Sequence, residues 1–138
     1  MSVIDKLRKL EADGSRVGGE LILAQPDMND NFLLHMAAAI GRCRLARIDA
    51  VYLNDDLAID GTGAAVGKFA DVVHRYEYRL GTPGQTVIDI QGVPDKSKEF
   101  LPLMPFPYIY LCLRWESELF WQGVPYIAAD VVRADTGV

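Results

Sequence analysis

Asp27 to Ile40 reads Asp-Met-Asn-Asp-Asn-Phe-Leu-Leu-His-Met-Ala-Ala-Ala-Ile, and the reading of these fourteen residues decides the fold. Taken as a helix, the stretch has a ready N-cap in Asp27 or Asn29, whose short side-chain oxygen can accept the first unpaired backbone N–H groups. Phe32, His35, Met36 and Ala39 then fall along one side, with Leu33, Ala37 and Ile40 beside them. Such a helix is apolar nearly all round, and Ala37-Ala38-Ala39 keeps it narrow, so the pattern predicts a buried helix with the rest of the chain wrapped on it.

Outward from this element, Gly18 to Ala24 reads as a strand stopped by Gln25-Pro26. Before it, Ser2 and Asp5 have the spacing of a capping box, Val3, Ile4, Leu7 and Leu10 share a helical face, and Gly14 ends that short N-terminal helix. On the other side, Gly41 to Leu53 fits either period, and its second half is read as a strand. Lys68 to Leu80 alternates clearly, with His74, Tyr76 and Tyr78 on the face expected to look inward and Arg75, Glu77 and Arg79 on the other. Thr82-Pro83-Gly84 turns it toward Thr86 to Gln91, a plausible antiparallel partner. Pro102, Pro105 and Pro107 bar the next segment from a central ladder. Tyr108 to Trp115 is apolar on both faces, which suits a strand covered on both sides, and Val124 to Val132 makes the last strand.

The block Phe106 to Val132 carries seven aromatic residues, both tryptophans among them, and must be core or binding surface. The fold predicted is α+β: a single domain over residues 1–138, its mostly antiparallel curved sheet packed on one buried helix, plus the short N-terminal helix. A β-sandwich or barrel with peripheral helices is the alternative. In order and length the elements resemble hot-dog-fold proteins, an analogy of architecture that names no catalytic residue.

Composition narrows the function. Half of the residues are hydrophobic and 24% charged, the balance of a globular chain. A formal net charge of -5 argues against sequence-independent nucleic-acid binding, which needs clustered Lys and Arg. The N-terminus lacks the apolar core of a signal peptide, and no apolar run is long enough to span a membrane, so the expected location is the cytoplasm. Cys43 and Cys112 are then expected as reduced thiols.

Motifs that suggest chemistry are incomplete. Gly61 to Lys68 fails the phosphate-loop pattern, since Thr62 stands where its first Gly belongs and Phe69 where Ser or Thr should follow the Lys. Asp27, Asn29 and Asn31 match the start of a calcium loop, which then lacks its Gly and its final Glu. No set has metal-ligand spacing, so neither metal nor cofactor is expected. Arg42, Arg44 and Arg47 could clamp an anion or simply complement a helix terminus. His35, His74 and, as an orienting carboxylate, Asp71 are the candidates for acid–base work, although each His is as well explained as a satisfied core group. The Pro-rich run is too apolar and lacks the basic flanks of an SH3-type ligand.

Three functions follow from this reading. The first is a non-enzymatic binding protein whose Tyr76, Tyr78, Met104, Phe106, Tyr108, Trp115 and Trp121 take a small apolar ligand or a protein partner. The second is an acyl-thioester enzyme, thioesterase or dehydratase, on a hot-dog-like dimer. The third is a homo-oligomeric interaction or assembly protein, resting on the N-terminal apolar stripe and the Pro-rich run.

Overall fold

The decisive stretch is a strand. In the structure, a computed structural model that describes residues 15–99, 101–103, 105–116, 118–120 and 122–134, Leu33–Ala39 is extended and hydrogen-bonded on both sides. Among the described residues eight strands run in chain order: β1 (Ser15–Gly18), β2 (Glu20–Pro26), β3 (Leu33–Ala39), β4 (Leu45–Leu53), β5 (Asp56–Ile59), β6 (Val73–Arg79), β7 (Tyr108–Arg114) and β8 (Ile127–Arg133). They form two antiparallel four-stranded sheets, ordered β1-β8-β4-β5 and β2-β3-β7-β6. The only helical pieces among the described residues are 3-10 turns at Gly67–Phe69, Asp95–Lys98 and Leu101–Leu103.

This overturns the α+β expectation and, with it, the hot-dog analogy, which required a buried helix where β3 lies. The error has a local cause. Asp27 Oδ1 accepts the N–H groups of Asn29 (2.8 Å) and Asp30 (3.1 Å), the bonds an N-cap makes, but here they close a turn from which the chain leaves extended. Asp30 repeats the device with Phe32 N–H at 2.9 Å. The alanines have a cross-strand explanation: Ala37 lies opposite Tyr110 and Ala39 opposite Tyr108, so small residues on β3 neighbour the rings of β7. The N-terminal helix of the sequence reading lies outside the described residues.

Chain geometry makes two cores from one strand. Ile109, Leu111 and Leu113 of β7 face the other sheet and join Met36, Val51, Leu53 and Ile127 in the inner core. Tyr108, Tyr110 and Cys112 face the opposite way and are covered by Ile88, Ile90, Val93 and Leu101 from the long segment after β6. Thr86 to Gln91 therefore keeps its alternation without joining the ladder: Ile88 and Ile90 are buried, Val87 and Asp89 exposed, and the segment lies across the sheet rather than beside β6. Lys98 Nζ donates to Ile90 C=O, and Ile88 N–H to the Tyr108 hydroxyl at 3.1 Å, so these backbone groups are satisfied without a strand partner. Gly19 marks the crossing from one sheet to the other, where a Cβ would come within 3.0 Å of both Ala38 Cβ and Ile127 O.

Among the described residues no helix is long and apolar enough to cross a membrane, a statement that does not touch β-barrels.

Candidate functional site

The candidate catalytic residues separate. His35 is buried on β3, facing the outer core, whereas His74 is exposed on β6 and Asp71 is exposed just before it. The register shift between Val73 and Arg75 explains His74: the extra residue lets Val73 pack on the inner core and leaves His74 outside it. A one-residue slip of this kind reverses the face read from simple alternation.

His35 sits in a closed polar cluster that the sequence reading did not assemble. Its Nε2 lies 2.7 Å from Asp27 Oδ2 and its Nδ1 2.6 Å from the Tyr110 hydroxyl. The chemistry of the partners fixes the protons. Asp27 is an acceptor, so Nε2 carries hydrogen; burial, the main cause, pushes the Tyr110 hydroxyl well above its ordinary value and keeps it protonated, so in the neutral imidazole it donates to Nδ1. Asp27 is held below the usual carboxylate range by His35 first and by the Asn29 N–H next. Burial likewise raises the Cys112 thiol, two residues from Tyr110 on the same face. Arg75 stands over the Tyr110 ring at 5.1 Å. Gly92 closes the wall: at φ +84, it leaves room for Asp27, whose Oδ2 would be 1.8 Å from any Cβ there. With every polar atom of the imidazole satisfied inside the fold, the cluster is built to hold β2, β3 and β7 together.

The aromatic residues expected to form one binding surface are distributed over four places. Tyr108 is in the outer core. Trp115 packs against Phe120 at the edge of the inner core, ring centroids 5.1 Å apart. Tyr76 and Tyr78, centroids 5.7 Å apart, stand at the seam between the sheets, where with Ile48, Ala50 and the Asp60–Gly63 turn they line a cleft of about 240 Å³. Phe106 is partly exposed in the Pro-rich connection; Met104 and Trp121 lie outside the described residues.

The arginines also divide. Arg42 is on the rim of a cleft of about 290 Å³ floored by Val17, Ile40, Leu45 and Val131, with Cys43 and Arg133 beside it. Arg44 is exposed at the start of β4, its C=O accepting the Ala134 N–H. Arg47 pairs with Asp49 at 2.8 Å. Cys43 is an exposed and Cys112 a buried thiol, and neither is in a disulfide. The Gly61 to Lys68 loop is an ordinary turn in which Asp60 Oδ1 accepts from Thr62 N–H, Thr62 Oγ1 and Ala64 N–H, while Lys68 reaches Asp56. Among the described residues no three His, Cys, Asp or Glu side chains are grouped to hold a metal.

A second three-part cluster lies on the outer face of the β1-β8-β4-β5 sheet. Arg16 Nε meets Asp130 Oδ1 at 3.2 Å, Tyr52 Oη donates to Asp130 Oδ2 at 2.7 Å, and the Arg16 guanidinium lies 3.6 Å from the centre of the Tyr52 ring. Arg16 and Asp130 are direct cross-strand partners, so the cluster laces three neighbouring strands.

No protein-family model matches the chain, and no curated protein matches its sequence. One solved structure is similar in fold: a chain of the virion of a native gene transfer agent (GTA) particle, with a TM-score of 0.55 and 20% sequence identity over 88% of this chain. This chain spans a quarter of the length of that one, so the two-sheet fold seen here is similar to one part of a larger virion chain.

Proposed function

We propose that this chain is a structural module of a multi-protein particle, acting by protein–protein contact rather than by turnover. The observation that carries the reading is the match of fold over 88% of the chain to a quarter of a virion chain, which is the relation of one module to a larger assembly component. The disposition of the polar groups agrees with it. His35, the buried histidine, has both nitrogens engaged in cross-strand contacts. The test is density-gradient fractionation of the native source followed by immunodetection of the chain. Recovery in the fractions that hold large particles supports the module reading; recovery only among free proteins overturns it.

A second reading, a site for a small apolar ligand, is favoured by the cleft of about 290 Å³ beside Ile40 and Val131. Its lining does not include the aromatic residues first expected to bind, so the reading now rests on aliphatic side chains and the Arg42 rim. A discrete adduct in the native mass spectrum, lost on Val131→Arg, is the result it requires.

A further inference from the structure

We infer that the outer edge of β6 is a docking edge for β6 of a second copy of this chain, the two strands antiparallel and centred on Tyr76. The inference rests on the particle reading above and adds to it the partner and the register.

The four edges of the two sheets are not alike. Unpaired strand edges invite further strands, and proteins blunt them by shortness, bulges or proline. β1 and β5 are four residues each, and β2 carries a register shift at Leu21/Leu23 and ends on Pro26. β6 has seven residues and no proline, and past its own register shift at Val73/Arg75 it pairs without interruption from Arg75 to Arg79. Among the described residues no strand pairs with its other side between Arg75 and Arg79; just past its end the Leu80 C=O accepts the Leu45 N–H of β4 at 2.8 Å.

The ladder fixes which groups that edge presents. Trp115 N–H donates to Phe32 C=O and Arg114 N–H to Val72 C=O, so odd-numbered residues of β7 bond toward β3 and even-numbered ones toward β6. Cys112, Tyr110 and Tyr108 therefore bond to Arg75, Glu77 and Arg79, leaving the N–H and C=O of Tyr76 and Tyr78 directed outward. The Tyr78 C=O indeed accepts from a donor outside the ladder, the Arg79 guanidinium, at 2.9 Å. A copy of β6 laid antiparallel with Tyr76 opposite the partner's Tyr76 makes that pair a hydrogen-bonded one.

Side-chain charge selects this occupant. Arg75 and Glu77 of one chain already form an ion pair along the strand; in the same register Arg75 falls opposite the partner's Glu77 and the dyad repeats the pair, so the two pairs join into one alternating four-charge network on the outer face. A parallel copy in register sets Arg75 against the partner's Arg75 instead. On the inner face, exposed Tyr78 and the cleft beside it would be covered by the partner.

The test is sedimentation or native mass spectrometry of the full chain against concentration, with Arg75→Glu, Glu77→Arg and the double swap. Wild type is expected to dimerise, each single reversal to weaken the dimer about tenfold by placing like charges opposite at two positions, and the double swap to restore it. Should a single variant fail to fold by circular dichroism, hydrogen exchange on wild type decides: the Tyr76 and Tyr78 amides gain protection as concentration rises. A wild-type chain that stays monomeric at its highest soluble concentration, or a dimer indifferent to both reversals, overturns the inference. If it is monomeric and yet co-sediments with particles, the pairing fails alone and the particle reading stands.

Discussion

Two clusters in this molecule have nearly the same parts: an aspartate, a nitrogen base and a tyrosine hydroxyl, each laced across three strands. Asp27, His35 and Tyr110 do this inside the β2-β3-β7 layer, and Asp130, Arg16 and Tyr52 on the outer face of β1-β8-β4. The His35 side chain is 5% exposed and Arg16 is 47% exposed. That difference sets what each bond is worth, because a group that loses a partner in the interior has no water to replace it, whereas one at the surface is rehydrated at once. The inner cluster therefore determines whether the sheet forms, and the outer one adjusts a sheet already formed.

The largest effects should come from breaking the inner cluster. His35→Ala strands the Tyr110 hydroxyl and opens a cavity beside β7, and is expected to lower stability by on the order of 3 kcal/mol in denaturant unfolding. Tyr110→Phe keeps the ring and orphans only His35 Nδ1, a loss of about 1–2 kcal/mol. Gly92→Ala attacks the same place from the covering loop: it forces a side chain into positive φ and onto the Asp27 carboxylate. The φ contribution alone costs roughly 1–2 kcal/mol. If these variants unfold like wild type, the cluster does not hold the layer and the contrast collapses.

Why the sequence reveals some strands of this fold and not β3 is a matter of which signals are local. β6, β7 and β8 announce themselves by alternation, by β-branched and aromatic content, or by apolar residues on both faces, and β4 only in its second half. β3 does not, because its residues were selected by their neighbours. Alanine is a good helix former in isolation, and only the facing Tyr108 and Tyr110 make it suitable here. The Asp27 turn offers the same two N–H acceptances as a helix cap, so the local signal points the wrong way until the strand pairing is known. The polar cluster was hidden for the same reason. His35 and Tyr110 are 75 residues apart in sequence, and Asp27 looks locally like a helix cap. His74, by contrast, is put on the opposite face from its alternation by one bulge that no local rule locates.

Acid should test the inner cluster by a different route. Asp27 and Asp60 are both held below the ordinary carboxylate range, Asp27 chiefly by His35 and Asp60 chiefly by Thr62. An acid with a depressed native pKa binds more protons when unfolded, so its contribution is complete above the unfolded value, near pH 4, and is lost as pH falls through the lower native value. Stability should therefore fall below about pH 4, and Asp27→Asn should make that fall shallower. The amide can replace the carboxylate only by exchanging roles: its one oxygen stays with the Asn29 and Asp30 N–H groups, its NH2 turns to His35 Nε2, and the imidazole proton moves to Nδ1. Nitrogen NMR of the imidazole should report that tautomer change, and an unchanged tautomer with unchanged acid sensitivity would show that Asp27 and His35 are not coupled.

The smallest effect is expected at the surface, and it is the most informative control. Tyr52→Phe deletes the hydroxyl that donates to Asp130 and leaves the ring beneath Arg16. Asp130 keeps its Arg16 partner and gains water, so the loss should stay below about 1 kcal/mol. Salt should also shrink what remains, since an exposed ion pair is screened and a buried hydrogen bond is not. Tyr52→Phe and Tyr110→Phe remove the same atom from the same residue type in the same kind of triad. Equal losses from the two would mean that burial does not separate the clusters, and that Arg16, Tyr52 and Asp130 hold β1 onto its sheet as firmly as His35 holds β3.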